Sequence, residues 1–233
     1  MLLSIIIPVF NEVTSLADVV ERALSVSLPD GVDRELIIVD DGSTDGTTEL
    51  LRQFLPDPSV KIHHSVLNFG KGVAVRVGLR YAKGDVVAIQ DADLEYDPAQ
   101  LSKLVEPVVS GRAQVVYGSR FLGKAAGMVL LQGWGNRILT GFSNFLFGGN
   151  LTDTYTCYKI FDRSTATFLS KQLVSRGFEL EAEITARLLR CNFKIVELPV
   201  DYQARSHQQG KKIRARDGIK GLWTLLKLKV FAQ

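Results

Sequence analysis

Two hydrophobic periods take turns along the first half of the chain. Leu2–Phe10 (LLSIIIPVF) is a near-continuous apolar run with three isoleucines, which predicts a strand covered on both faces. Leu16, Val19, Val20, Ala23 and Leu24 then recur at helical spacing, closed by Pro29-Asp30-Gly31. ELIIVD (35–40) predicts a second strand, after which Asp45 offers an N-cap to a helix ending near Pro56. VKIHHS (60–65) predicts a third strand, and NFGKGVA opens a helix carrying Val73, Val77 and Leu79. DVVAIQ (85–90) predicts a fourth strand, the stretch from Pro98 to Ser110 a helix, and QVVYGSR (114–120) a fifth strand. This rhythm implies an α/β protein with a mainly parallel sheet flanked by helices on both faces.

Past residue 120 the pattern loosens. Residues 127–147 are amphipathic, with Leu131, Trp134, Ile138, Phe142 and Phe145 near heptad spacing. TDTYTCYKIF (152–161) reads as strand-like, Glu179 to Cys191 as a helix, and FKIVELPV (193–200) as another strand. On a helical wheel Ile219, Leu222, Trp223, Leu226 and Val230 share one face, flanked by Lys220, Lys227 and Lys229. That arrangement suits either a helix lying in a lipid interface or a core helix with exposed lysines. The expected organisation is one domain over 1–213, with halves at 1–120 and 121–213, followed by an amphipathic basic segment over 214–233.

Bulk numbers narrow the class. At 233 residues, 46% hydrophobic and 23% charged, the chain can bury a full globular core. The net charge of +3 is uneven: from Arg205 onward eight basic residues face one acid, giving +7, so the remainder carries −4. Such a tail suits an anionic surface or phosphates. Binding of nucleic acid is disfavoured, because only Trp223 and Phe231 in the tail could stack on bases. Cys157 and Cys191 make neither a CxxC nor a zinc spacing, as expected in a reducing compartment. The N-terminus lacks a basic n-region, and no apolar run reaches the roughly 18 residues of a membrane span. A cytoplasmic protein, soluble or peripheral on a membrane, is expected.

The candidate chemistry starts at QDADLE (90–95). In an extended segment Asp91, Asp93 and Glu95 would point the same way and repel one another. A hard divalent cation resolves that repulsion; a solvated strand end is the plainer alternative. Parallel sheets bind ligands at the carboxyl ends of their strands, and Asn11-Glu12, Asp40-Asp41, Asp91-Asp93 and Ser119-Arg120 all fall there. NFGKGVA is no P-loop, since Gly72 follows Lys71 where Ser or Thr is required. DADLEYD is no EF-hand loop, since Tyr96 stands at the glycine position. His63 and His64 lie mid-strand and read as structural, whereas His207 sits among basic residues.

Taken in order, IIPVFNE (6–12), VDDGSTDGT (39–47), NFGKGVAVRVG (68–78), DADLE (91–95), GSR (118–120), LTDTYTCYKIF (151–161), Glu183 within FELEAEI, VELPVDYQAR (196–205) and GKKI (210–213) form a recognisable set. The chain resembles the family-2 glycosyltransferases of the GT-A fold, in the polyprenyl-phosphate branch typified by dolichol-phosphate mannose synthase. The resemblance implies that Pro8, Val9, Asn11, Glu12, Asp40, Asp41, Lys71, Asp91, Ala92 and Lys211 bind the nucleotide. It implies that Asp91 and Asp93, with Glu95, meet Mg²⁺ or Mn²⁺, and that Asp93, Arg120, Asp153, Glu183 and Arg205 serve catalysis. Glu95 stands where the mannose synthases usually have Gln, and four residues separate Arg205 from Gly210 where they have two. The donor is accordingly left open between GDP- and UDP-sugars.

The implied reaction is metal-dependent inverting transfer from a nucleotide sugar to a polyprenyl (dolichyl or undecaprenyl) monophosphate at the cytoplasmic face of a membrane. A monophosphate attacks as an anion, positioned by Arg205, Lys211, Lys212 and Arg214. A hydroxyl acceptor on a glycan or glycolipid would need a base, with Asp153 first and Glu183 second in line. A non-catalytic nucleotide-sugar-binding subunit is the third reading.

Overall fold

In a computed structural model, which describes residues 1–127, 130–205 and 215–231, the isoleucine run becomes β1 (Leu2–Val9) at the middle of a sheet. Ile5, Ile6 and Ile7 are fully buried, as a strand covered on both faces requires. β2 (Asp33–Asp40), β3 (Val60–His64) and β4 (Val86–Ile89) join it in parallel, in the order β3-β2-β1-β4. Pro8 is tolerated in this central strand because the β4 ladder stops at Ile6↔Ile89, before a missing N–H matters on that side.

The sheet then departs from simple alternation. β7 (Lys159–Asp162) enters between β4 and β5 (Val115–Ser119), antiparallel to both, and β8 (Ile195–Pro199) closes the edge parallel to β5. A second, two-stranded sheet pairs β6 (Ala125–Ala126) with β9 (Tyr202–Gln203). The strand expected over 152–161 is therefore confined to its last residues. Residues 151–158 form a buried loop whose polar side chains, Asp153, Thr154 and Thr156, find partners inside the protein.

Helices cover both faces: α1 (Leu16–Ser25), α2 (Thr47–Leu51), α3 (Lys71–Tyr81), α4 (Leu101–Val109), α6 (Arg163–Gln172) and α7 (Leu180–Arg190). The inner face of α3 differs from the expected stripe. Val73 and Val77 are only half-buried, and Gly72, Ala74, Val75, Gly78 and Leu79 face inward. Small residues win because the helix lies very close to β1, and a Cβ on Gly78 would collide with Ile6. α6 went unanticipated because its stretch, RSTATFLSKQ, has a weak apolar stripe; it is started by Asp162, which accepts from Thr165 N at 2.7 Å.

α5 (Leu130–Phe147) and α8 (Ala215–Phe231) form an outer layer. Leu225 and Leu228 of α8 pack with Ala182 and Ala186 of α7, and with Phe142, Leu146 and Phe147 of α5. Residues Leu180 to Ala186 are consequently all buried, so α7 is covered on every side over its first two turns. The stripe expected on α8 is not its packing face: Ile219, Trp223, Leu226 and Val230 are exposed and Leu222 is half-buried. α5 likewise exposes Trp134, Ile138 and Phe145. Among the described residues, no helix is long and apolar enough to cross a membrane.

Candidate active site

The four clusters expected at the strand ends lie there. After β1 the chain turns at Asn11, whose φ of 51° is left-handed and suits asparagine. Asn11 Oδ1 accepts from Thr44 N at 2.8 Å and its own N–H donates to Ser43, tying the first cluster to the second. Asp40 is fully buried and occupied: it accepts from Ser43 N, Thr48 Oγ1 and His64 Nδ1 at 3.0, 2.6 and 2.9 Å. Asp41 accepts from Phe69 N and Gly70 N, at 2.9 and 2.6 Å, and so fixes the loop before α3. Its carboxyl is pushed up, burial being the largest cause. Asp45 Oδ1 accepts from Thr47 N at 3.0 Å, but the N-cap expected of it falls on Gly46, whose left-handed backbone starts α2 one residue later. His63 stacks on Tyr81.

The acidic loop is not extended. β4 stops at Ile89, residues 92–96 turn, and Leu94 has a φ of 57°. The three carboxylates therefore fan out rather than share one face. Asp91 meets Lys71 Nζ at 2.7 Å. Asp93 meets Arg205 Nη2 at 3.0 Å. Glu95 accepts from Tyr202 OH and from the Arg205 N–H, both at 2.8 Å, so it braces the chain after β9. Ala92 is buried, and its carbonyl accepts from Ser15 Oγ at 2.8 Å.

Arg205 joins this loop to the first cluster. Its guanidinium donates from Nη1 and Nη2 to the two oxygens of Glu12, at 2.8 and 2.9 Å, while Nη2 also reaches Asp93. Glu12, Asp93 and Arg205 converge although 193 positions separate the outer two. Burial and the charges of Asp91 and Glu95 push the Asp93 carboxyl up to about 7, against the opposing pull of Arg205. The Asp91 carboxyl is held low by Lys71 despite its burial.

Arg120 and Asp153 form a closed pair. Nε and Nη2 of Arg120 meet the two Asp153 oxygens at 2.7 and 2.8 Å, and the Arg120 N–H adds a third bond at 3.1 Å. Asp153 is fully buried, and the Arg120 guanidinium lies 5.2 Å from the Tyr202 ring centre. Glu183 is also sealed: it accepts from Val174 N and Ser175 N and pairs with Arg187. The loop it holds carries Arg176, whose carbonyl accepts from Gly72 N at 2.7 Å. A Cβ at Gly70 would strike that carbonyl, so glycine is needed where loop and helix touch. Lys211, Lys212, Arg214 and His207 lie outside the described residues.

Several members escaped the sequence reading. Gln90 holds the acidic loop, donating to the Asp91 and Tyr96 carbonyls and accepting from Tyr158 OH at 2.6 Å. Glu197 accepts from the backbone of Thr152 and Asp153. Glu181 and Lys159 form a buried ion pair behind Lys71. Glu181 stands two residues before Glu183 in FELEAEI; an acid pair inside a helix otherwise buried all round was the available signal.

A mainly parallel sheet with one antiparallel intruder, acids at its strand ends and a second half folded over them, defines the GT-A class of fold. The chain belongs to glycosyl transferase family 2, whose profile it matches over residues 4–167. It is 41% identical over 110 residues to the undecaprenyl-phosphate 4-deoxy-4-formamido-L-arabinose transferase of Pectobacterium carotovorum, a match covering 46% of this chain and 34% of that protein. Over 216 residues it is 27% identical to glycosyltransferase AglD of Haloferax volcanii, covering 91% of this chain and again 34% of the relative. The chain thus spans about a third of the length of these curated relatives. Among solved structures, glucosyl-3-phosphoglycerate synthase from Mycobacterium tuberculosis, in complex with Mn²⁺, UDP and glucosyl-3-phosphoglycerate, superposes with a TM-score of 0.70 at 22% identity, covering 97% of this chain and 78% of that one. That likeness is one of fold.

Proposed function

We propose that the protein moves a sugar from a GDP- or UDP-sugar to a polyprenyl monophosphate, with inversion at the anomeric carbon and with Mg²⁺ or Mn²⁺, on the cytoplasmic surface of a membrane. The observation that carries this reading is the convergence of Glu12, Asp91 and Asp93 from separate strand ends onto the cations of Lys71 and Arg205. Undecaprenyl phosphate in the name of a 41% identical relative supports the acceptor.

The residues present fit a divalent ion. Asp91 and Asp93 stand on one turn, and burial together with the charges of Asp91 and Glu95 raises the Asp93 carboxyl against the pull of Arg205. All-oxygen donors suit Mg²⁺ or Mn²⁺. Among the described residues no three carboxylate, imidazole or thiol groups are gathered around one point, so Asp91 and Asp93 would hold the ion together with the donor's diphosphate. Bound there, it supplies charge stabilisation to the departing diphosphate. Glu95, with both oxygens engaged, serves as a brace for Arg205.

The chain's own groups do the rest. Arg205, seated on Glu12 and Asp93, can exchange those carboxylates for phosphate oxygens as the donor enters. Asp153 orients Arg120, whose planar fork is fixed from one side by the carboxylate and from the other by Tyr202. Asp41 and Asn11 shape the base and ribose end through the loops they hold. A hydroxyl acceptor would need a carboxylate free to take a proton; Asp153 and Glu183 are sealed and fully bonded, which supports an acceptor that arrives as an anion.

The bare stripes of α8 and α5 support membrane contact. Ile219, Trp223, Leu226 and Val230 face solvent along a helix that also carries Lys220, Lys227 and Lys229. The test is transfer of labelled sugar from UDP- and GDP-sugars to undecaprenyl phosphate, dolichyl phosphate and free sugars. Product on the lipid phosphates is expected, and product on hydroxyl acceptors alone overturns the acceptor assignment.

A further inference from the structure

Behind the acidic loop runs a buried line of alternating charges that the transfer reaction alone does not explain. Lys71 Nζ lies 2.7 Å from Asp91 Oδ1 and 3.2 Å from Glu181 Oε1. The other Glu181 oxygen pairs with Lys159, which is fully buried. Lys159 is itself pinned by the carbonyls of Thr154 and Thr156, and its ammonium sits 4.8 Å from the centre of the Tyr117 ring. Lys71 Nζ also lies 3.7 Å from the Cys157 thiol, which burial holds neutral. The order is thus Asp91, Lys71, Glu181, Lys159, with two anions and two cations. Asp91 is the most exposed of the four and Lys159 the most buried.

One ammonium between two carboxylates raises a question of occupancy. A divalent ion on Asp91 would stand next to the Lys71 cation, and like charges so close inside a protein repel strongly. Retreat into an apolar core would leave the ammonium unpaired. Glu181 removes the conflict: it is already within salt-bridge distance, it is anchored by Lys159, and reaching it fully takes a shift of side-chain torsions without movement of α3. We propose that Lys71 is a two-position ammonium, which neutralises Asp91 until the metal takes that carboxylate and then rests on Glu181. Glu181 is accordingly a positioning residue for metal loading, acting through Lys71. The inference rests on the metal reading above and adds to it the residues that make room for the ion.

The experiment is Mn²⁺ titration of the full chain followed by EPR, without nucleotide and with saturating UDP. It uses wild type, Lys71→Met, Glu181→Gln and the double variant. Without nucleotide, Lys71→Met is expected to bind Mn²⁺ about tenfold more tightly, because the resident competitor is gone. Glu181→Gln is expected to bind about tenfold more weakly, because Lys71 then has no other anion to move to. In the Lys71→Met background, Glu181→Gln should change affinity less than twofold. A full tenfold loss in that background would mean that Glu181 acts on the ion through space, and it overturns the proposal, as does a Lys71→Met protein that binds no better than wild type. Since Glu181→Gln strands Lys159, the same cycle in a Lys159→Met background answers the question if the single variant fails to fold. Wild type that takes up no Mn²⁺ even with UDP refutes the metal reading itself, and that result is separate from any pattern among the variants.

Discussion

The donor rim and the outer helices are opposites in how they treat surface. At the rim, Asp40, Asp153, Glu181, Glu183 and Arg120 are taken out of water and answered within the protein, bond by bond. On α5 and α8, large side chains are left in water unanswered: Trp134, Ile138 and Phe145 on one, Ile219, Trp223 and Val230 on the other. The contrast teaches where each region is completed. The rim answers most of its charges within the protein, with Arg205 shared between Glu12 and Asp93. The outer layer, among the described residues, leaves these apolar side chains bare, and the proposed membrane contact would cover them.

The largest expected effect falls on the rim's chemistry. Asp91→Ala should cut transfer at least about 1,000-fold, roughly 4 kcal/mol of transition-state stabilisation, while the far-UV circular dichroism stays native. An activity within tenfold of wild type removes Asp91 from the metal assignment and with it half of the contrast.

Next comes stability. Asp153→Asn leaves Arg120 buried without its counter-ion and should cost about 3 kcal/mol in urea unfolding. Replacing both residues, with Arg120→Met and Asp153→Leu, should recover much of that loss, because the penalty comes from one stranded charge. Equal losses from single and double variants would show that the pair is not what the rim relies on.

The third effect sharpens the rim internally. Asp93 titrates near 7 in the folded protein and near the ordinary 3.8 when unfolded. The folded state therefore holds an extra proton between those values, so metal-free stability falls as pH rises through that window. Asp93→Asn removes this dependence. Its stability relative to wild type should rise by about 2 kcal/mol between pH 5 and pH 8. A constant difference across that range would show that Asp93 is fully compensated by Arg205.

The smallest effect tests the outer layer. Trp223→Ser with Ile219→Ser should weaken binding to anionic vesicles about tenfold, about 1.4 kcal/mol, with an unchanged melting temperature. Binding should also fall as salt rises. A lowered melting temperature with unaltered vesicle binding would turn these side chains into packing residues and erase the contrast.

Much of the rim could be read from the chain because it rests on period and on short motifs. β1, β2, β4 and β5 are continuous apolar runs that end in polar pairs, so both the strands and the rim follow from local composition. What escaped was set by distance. The antiparallel entry of β7 depends on partners far from it in sequence, Val86–Ile89 and Val115–Tyr117, and nothing within Lys159–Asp162 announces its direction. The acids of QDADLE were expected on one face; the left-handed turn at Leu94 and the pull of Lys71, Arg205 and Tyr202 separate them. On α8 the wheel found an apolar face, but burial fell to Gly221, Leu225 and Leu228, because Gly221 lets the helix settle on Tyr155.

The all-round burial of α7 has a mechanical side. One flank of that helix bears α8 through Ala182 and Ala186, while Glu181, the residue before Ala182, grips Lys159 and faces Lys71. If the tail rests on a bilayer as proposed, load applied to it would be borne one residue away from the side chain that seats Lys71. On the proposed function, grip on the lipid and grip on the cation would share a single rod.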